Sequence, residues 1–82
     1  MVIFVELYVN LDSEKELHAK FQRSLKDAGL SRVIQLTHFI PDKEAYFRIR
    51  NGERKIYESP RFNPEEPDEQ IGLVLKVLEQ IS

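Results

Sequence analysis

The chain has 82 residues, of which 41% are hydrophobic and 32% are charged, and its formal net charge is −2. This composition is ordinary for a folded globular protein and argues against disorder. The small negative charge gives no general attraction to nucleic acid or acidic membranes, so such binding would need a local basic patch. The sequence contains no cysteine, which excludes disulfides, thiolate metal sites and thiol redox chemistry.

Residues 1–82 are predicted to form a single domain, since the predicted elements follow one another without a long linker. No apolar run approaches the length of a membrane span, and the first residues lack the basic region and cleavage site of a signal peptide. These features lead us to expect a cytoplasmic protein.

The first half of the sequence predicts strand, helix and strand. Residues 2–9 are almost continuously apolar, which is typical of a central strand buried on both faces. Ser13 and Glu16 have the spacing of a capping box, and Gly29 is expected to end the helix in the left-handed conformation. The apolar side of this helix is Leu17, Phe21, Leu25 and Ala28. A second strand is predicted over residues 32–36 or beyond, parallel to the first through a right-handed crossover.

Residues 44–59 have the pattern of a β-hairpin. Asn51-Gly52 favours a type I′ turn, because both residues tolerate positive φ. A two-residue loop at this point would place Phe47 opposite Ile56 and Tyr46 opposite Tyr57. Cross-strand partners share a face, so the hairpin is predicted to have one apolar and one aromatic, basic face. The second face would carry Tyr46, Arg48, Arg50, Lys55 and Tyr57, at the edge of a sheet.

The last element is predicted to be an amphipathic helix that begins near Pro67 or Asp68. Gly72 lies within its apolar pattern, and we expect close packing of the backbone on the sheet at this position. The predicted core of the protein consists of Ile3, Val5, Leu7, Leu17, Phe21, Leu25, Val33, Phe47, Ile49, Ile56, Ile71, Val74, Leu75 and Leu78.

The predicted order is β-α-β-β-β-α, an α/β sandwich in which a mixed sheet is flanked by two helices. A parallel pair of strands, an antiparallel hairpin and a closing helix form the minimal plan of the thioredoxin-like fold. A ferredoxin-like α+β arrangement is the alternative, and it would require a further strand after the second helix.

This element order, the turn sequence Arg50-Asn51-Gly52-Glu53 and the connector containing Pro41 resemble the selenoprotein W-like proteins. The resemblance implies a thioredoxin-like scaffold. That family carries a Cys-x-x-Cys motif or its selenocysteine counterpart between the first strand and helix, where this chain has residues 10–15 without cysteine. The hydrophobic phase of the hairpin also differs by one residue from the family's pattern. The redox activity therefore does not transfer, and no cofactor is predicted.

Two further residues are candidates for chemistry. Glu6 is a lone carboxylate in an apolar strand, where burial without a partner would favour its protonated form, as general acid–base catalysis requires. His38 follows the second predicted strand and could reach Glu6 at a shared rim. The alternative is that both side chains have ordinary hydrogen-bonding partners. Two histidines without carboxylates at ligand spacing do not predict a metal site.

The aromatic and basic face of the hairpin is the main candidate for a binding site. Tyrosine and arginine are favoured in protein interfaces, so the face predicts a protein partner or self-association, including a homodimer. The second hypothesis is that the face binds single-stranded nucleic acid, with the tyrosines stacking on bases and the basic residues neutralising phosphates. The alternative without a ligand is that this face is a solvated sheet edge, on which lysine and arginine prevent pairing with other strands. A non-enzymatic binding module is the favoured function, and an acid–base enzyme that uses Glu6 and His38 is a third hypothesis.

Overall fold

The computed structural model describes residues 1–81, which form an α/β fold with one four-stranded mixed sheet and two helices. The elements occur in the order β-α-β-β-β-α. Their bounds are β1 Ile3–Val9, α1 Leu11–Asp27, β2 Ile34–Phe39, β3 Tyr46–Asn51, β4 Arg54–Glu58 and α2 Asp68–Ile81.

The strands are arranged across the sheet in the order β2-β1-β3-β4. β1 pairs in parallel with β2 on one side and antiparallel with β3 on the other, and β3 pairs antiparallel with β4. The predicted parallel pairing of the first two strands is therefore confirmed. β1 is a central strand as expected, and β4 places the hairpin at one edge of the sheet.

Both helices pack on one face of the sheet. Val5, Leu7 and Val9 of β1 belong to a buried cluster that also contains apolar residues of α1 and α2. The alternate residues of the strand point to the opposite face, where residues 1–81 supply no helix. We call this second side of the sheet the open face. The prediction that helices cover β1 on both faces is wrong, because alternate side chains of a strand point to opposite faces and only the side of Val5, Leu7 and Val9 packs against the helices.

The buried core contains three residues that were not predicted, Val9, Ala45 and Phe62. Four residues of the predicted core are only partly buried: Ile3, Val33, Ile56 and Leu75. Phe62 follows the hairpin and forms an isolated β-bridge with Ala45. Its ring stacks on Phe47 with the ring centres 5.4 Å apart, while Phe21 of α1 lies 4.8 Å from Phe47. The segment after β4 therefore closes one side of the core.

The ends of α1 are fixed by local hydrogen bonds. Asn10 is the N-cap, and its side-chain oxygen accepts a bond of 2.9 Å from the backbone N–H of Ser13. The N-cap therefore lies three residues before the predicted cap, and Ser13 lies inside the first turn of the helix. Gly29 has φ of 71°, and the N–H of Leu30 donates to the carbonyl of Leu25. This is the Schellman arrangement, so the predicted left-handed end is confirmed.

The turn of the hairpin lies one residue later than predicted. β3 continues to Asn51, which pairs with Arg54, so Gly52 and Glu53 form the two-residue loop. Gly52 has φ of 56°, and no non-glycine residue among residues 1–81 has positive φ. Positive φ at the first loop position alone is typical of a type II′ turn rather than type I′.

The later turn and a bulge change the faces of β4. Arg50 lies opposite Lys55, but Ile49 lies opposite Tyr57, so Ile56 is an extra residue between the two pairs. Tyr57 consequently shares the helix-covered face with Ile49 and packs against the core. The predicted placement of Tyr57 beside Tyr46 on the polar face is therefore wrong, because a bulge reverses the alternation of a strand.

Gly72 in α2 gives a prediction for stability. A Cβ atom built at this position would meet nothing within 4 Å, so the expected close packing on the sheet is absent. Because glycine costs about 1 kcal/mol relative to alanine inside a helix, Gly72→Ala should raise the free energy of unfolding by about 0.5–1 kcal/mol. Urea denaturation measures this change. Gly52→Ala is the control and should destabilise the protein, because its φ is positive. A destabilised Gly72→Ala variant would contradict the open environment at this position.

Candidate functional site

The open face is formed by alternate residues of all four strands. β1 and β2 pair in register there, as do β1 and β3, so that their side chains form rows across the sheet. The residues of the open face are Phe4, Glu6, Tyr8, Ile34, Leu36, His38, Tyr46, Arg48, Arg50, Lys55 and Glu58. Most are half-buried, and Glu6 is buried.

The structure brings together four of the five predicted binding residues. Tyr46, Arg48 and Arg50 lie on the open face of β3, and Lys55 lies on the same face of β4 opposite Arg50. Tyr57 lies on the other side of the sheet, as described above. The predicted aromatic and basic surface therefore exists without its second tyrosine.

An aromatic stack crosses the open face at one end of the strands. The ring of Tyr8 lies between His38 and Tyr46, with ring centres 4.5 Å apart on each side. The rings of Tyr8 and Tyr46 are almost parallel, with an angle of 6° between their planes. The guanidinium of Arg61 covers the far side of Tyr46 at 4.7 Å from the ring centre. These four residues, His38, Tyr8, Tyr46 and Arg61, are called the aromatic stack below.

The stack determines which parts of the rings a ligand can reach. Its three rings lie side by side on neighbouring strands, so each ring face points along the sheet toward the next ring. Both faces of Tyr8 and Tyr46 are therefore covered within the protein. Ring edges and hydroxyl groups remain for contacts with a ligand, whereas flat stacking of a base on either tyrosine would require the stack to open.

Glu6 is the charged centre of the open face. Its side chain is 6% exposed and lies between two cationic or potentially cationic groups. Oε2 lies 2.7 Å from Nε2 of His38, and Oε1 lies 3.1 Å from Nε of Arg50. The contact with Arg50 is an ion pair without hydrogen-bond alignment, since Oε1 has no aligned donor in the described residues. A buried carboxylate is retained only when such partners compensate its desolvation.

The two arginines of β3 are held by different partners. Arg50 lies over the ring of Phe4 at 4.1 Å, and its Nη1 donates to the carbonyl of Gly52. Arg48 donates from Nε to Glu58 and from Nη1 to the hydroxyl of Tyr8, with both distances at 3.1 Å. The cations of the open face are thus largely matched by nearby acceptors.

These contacts influence the ionisation of two groups. Burial and then the negative charge of Glu6 raise the pKa of the Tyr8 phenol, while Arg48 acts in the opposite direction. Burial alone would lower the pKa of Arg48, but its hydrogen bond to Glu58 and nearby negative charge raise it above the ordinary value. Tyr8 therefore remains a neutral hydroxyl and Arg48 a cation at neutral pH.

The contact between Glu6 and His38 has the distance that an acid–base pair requires. Arg50 contacts the same carboxylate, however, and the ring of His38 is stacked on Tyr8. The His38 side chain is 40% exposed, so a substrate would meet its ring at the surface of the open face. The two cavities described lie beside α1, one against residues 64–67 and the other beside Ser31 and Gln35. The geometry thus favours a structural role for the pair.

Within residues 1–81, no three histidine, aspartate or glutamate side chains are grouped so as to hold a metal ion. None of the helices over the same residues has both the length and the apolar character needed to cross a membrane.

Comparisons with known proteins return no match: no family model fits the chain, and no curated protein or solved structure is significantly similar to it.

Sequence reasoning overlooked Phe4, Tyr8 and Arg61. Phe4 and Tyr8 alternate with the buried residues of β1, and Glu6 between them is the signal that this set faces away from the helices. Arg61 lies outside the strands, and its contact with Tyr46 depends on the bridge between Ala45 and Phe62. No local pattern indicates that contact.

Proposed function

We propose that this chain is a small non-enzymatic protein-binding module that uses the open face of a thioredoxin-like scaffold without redox cysteines. The strand order, the parallel pair and the antiparallel hairpin support this scaffold. The partner is a protein whose contact surface offers carboxylates or main-chain carbonyls.

The aromatic stack is the observation that carries this proposal. The rings of Tyr8 and Tyr46 have contacts on both sides, so little side-chain freedom remains to be lost on binding. Rigid tyrosine and arginine side chains are the residues that most often dominate the energy of protein interfaces. The guanidinium groups of Arg48 and Arg50 have further N–H donors, and Lys55 adds an exposed ammonium group.

Single-stranded nucleic acid is the second candidate, because the same face carries both rings and cations. Two features weigh against it. The ring faces of Tyr8 and Tyr46 are covered, and most of the cations have acidic partners nearby. Base stacking and phosphate neutralisation supply most of the affinity for single strands, and both would be weakened here.

Affinity capture tests the proposal with matched variants. Arg48→Ala combined with Lys55→Ala removes two charged groups from the open face, while Arg23→Ala combined with Lys26→Ala removes the same groups from α1. We expect the first variant to lose its partners at least about tenfold, as truncation at an interface centre does. The second should retain them. Quantitative mass spectrometry of proteins captured from the source cells measures both.

Two outcomes would contradict the protein-binding function. One is equal capture by both double variants, which would show that the open face is not the contact surface. The other is tight binding of labelled single-stranded DNA that weakens steeply with added salt, which would favour the nucleic-acid function. Circular dichroism of both variants provides the control for folding, since exposed ion pairs contribute less than about 1 kcal/mol.

A further inference from the structure

The outer edge of β2 differs from the other edge of the sheet. β2 lies at one end of the strand order, and no strand within residues 1–81 pairs with its outer side. Its sequence, IQLTHF, contains no lysine, arginine, aspartate, glutamate or proline. β4 at the opposite edge carries Arg54, Lys55 and Glu58 and contains the bulge. Charges and bulges are the devices that protect sheet edges from pairing, and β2 lacks both.

The side chains of β2 are also unusually apolar for an exposed edge. Ile34 is 43% exposed and lies on the open face, while Phe39 is 57% exposed and lies on the side of the helices. Leu36 lies between them and is half-buried. The edge therefore exposes apolar groups on both sides of the strand together with unpaired backbone N–H and C=O groups.

We propose that β2 pairs antiparallel with β2 of a second copy of this chain, so that two sheets join into one of eight strands. A second copy supplies the chemistry that this edge requires. Its β2 also lacks lysine, arginine, aspartate and glutamate, and its His38 is already paired with Glu6, so pairing buries no unmatched charge. The contact is self-complementary, as a two-fold dimer requires. A chain of 82 residues has a small core, and such pairing adds buried apolar surface without a new element.

The symmetry also predicts the register. Antiparallel partners share a face, so the two-fold axis between the strands must be level with one residue, which then lies opposite its own copy. An axis at Leu36 places Ile34 opposite His38 of the second copy on the open face. On the other side it places Phe39 opposite Val33 of the second copy. Both exposed apolar side chains are then covered, whereas an axis at Thr37 would place Phe39 opposite Gln35.

Self-association of matched variants tests the inference. Ile34→Lys adds a charge to the edge, and Leu73→Lys makes the same change at an apolar residue of α2 with similar exposure of 38%. We expect the unaltered chain to approach twice its mass of 9.7 kDa as concentration rises in sedimentation equilibrium. Ile34→Lys should weaken the dimer at least tenfold, and Leu73→Lys should leave it unchanged.

Cross-linking provides a second measurement that does not depend on a destabilising change. The natural chain lacks cysteine, so Leu36→Cys introduces a single thiol at the predicted two-fold axis. Mild oxidation should yield a covalent dimer of Leu36→Cys and little of Leu73→Cys. A single-chain mass up to millimolar concentration, or equal dimerisation of the two lysine variants, would overturn the inference. This surface is separate from Arg48 and Lys55, so either proposal can fail without the other.

Discussion

Replacement of Phe47 by alanine is expected to lower the free energy of unfolding by about 3–5 kcal/mol, the usual cost of truncating a buried phenylalanine. Phe47 is completely buried and contacts both Phe21 of α1 and Phe62 of the segment after β4. Its removal leaves a cavity where three parts of the chain meet. A domain of this length has a total stability of about 4–12 kcal/mol, so the loss is a large fraction of it.

The matched control for Phe47 is Phe39→Ala. Phe39 is 57% exposed, so its truncation removes little buried surface and should change the stability by less than about 0.5 kcal/mol. Urea denaturation followed by circular dichroism at low micromolar concentration measures both variants. If the two substitutions have equal costs, the central position of Phe47 in the core is wrong.

Replacement of Arg50 by methionine is expected to have the next largest effect. It removes a cation 3.1 Å from the buried carboxylate of Glu6 and leaves His38 as the remaining partner. Breaking a fully buried ion pair costs about 3–5 kcal/mol, and we expect about 2–3 kcal/mol here, because the Arg50 side chain is 25% exposed.

A double-mutant cycle separates this ion pair from the packing of the arginine stem. Glu6→Leu removes the buried charge and leaves Arg50 able to reach water, so it should cost less than Arg50→Met. The combined variant should be more stable than the sum of the single changes predicts, because neither charge is then left alone. Chemical denaturation of all four proteins at neutral pH gives the interaction energy.

Arg48→Met is the control for this cycle. Arg48 lies on the same strand and face as Arg50, but its acidic partner Glu58 has an exposed side chain. Exposed ion pairs contribute about 0–1 kcal/mol, so the control should be destabilised much less. If Arg48→Met and Arg50→Met lower the free energy of unfolding equally, the burial of Glu6 does not determine the strength of its ion pair with Arg50.

The elements that sequence analysis placed well are those with strong local signals. The apolar spacing of α1 and α2 and the glycine at the end of α1 predict their positions to within a few residues. The first strand was found as well, but its apolar character hid the alternation that creates the open face. Phe4 and Tyr8 are apolar or aromatic, so composition alone does not show which side they occupy.

The hairpin register depends on contacts outside the hairpin. Asn51-Gly52 suits a type I′ turn, and Gly52 also suits the first position of type II′. The observed turn brings Ser59 beside Phe47, where its hydroxyl oxygen accepts a hydrogen bond of 2.9 Å from the backbone N–H of Phe47. Ser59 is buried and donates the same hydroxyl to the carbonyl of Pro60. The contact between Phe47 and Ser59 therefore favours one of two turn types that the local sequence suits equally well.

Some parts of the candidate site follow from local sequence patterns, whereas others depend on contacts between distant segments. The basic residues of β3 follow from alternation in one strand, and contact between Glu6 and His38 follows from two adjacent parallel strands. Arg61 joins the aromatic stack from a segment without regular structure. Its position is set by the packing of Phe62, which no periodic pattern reveals.

The central position of β1 has a consequence for the order in which the chain folds. Its neighbours β2 and β3 both lie far along the chain, while β3 and β4 are joined by two residues. Contacts between distant segments slow folding, because long loops must close before the pairing is gained. During synthesis β1 leaves the ribosome before the other strands, and its antiparallel neighbour β3 begins only at residue 46. Until then α1 is the nearest cover for the apolar side of β1, and the strand remains open to incorrect pairing.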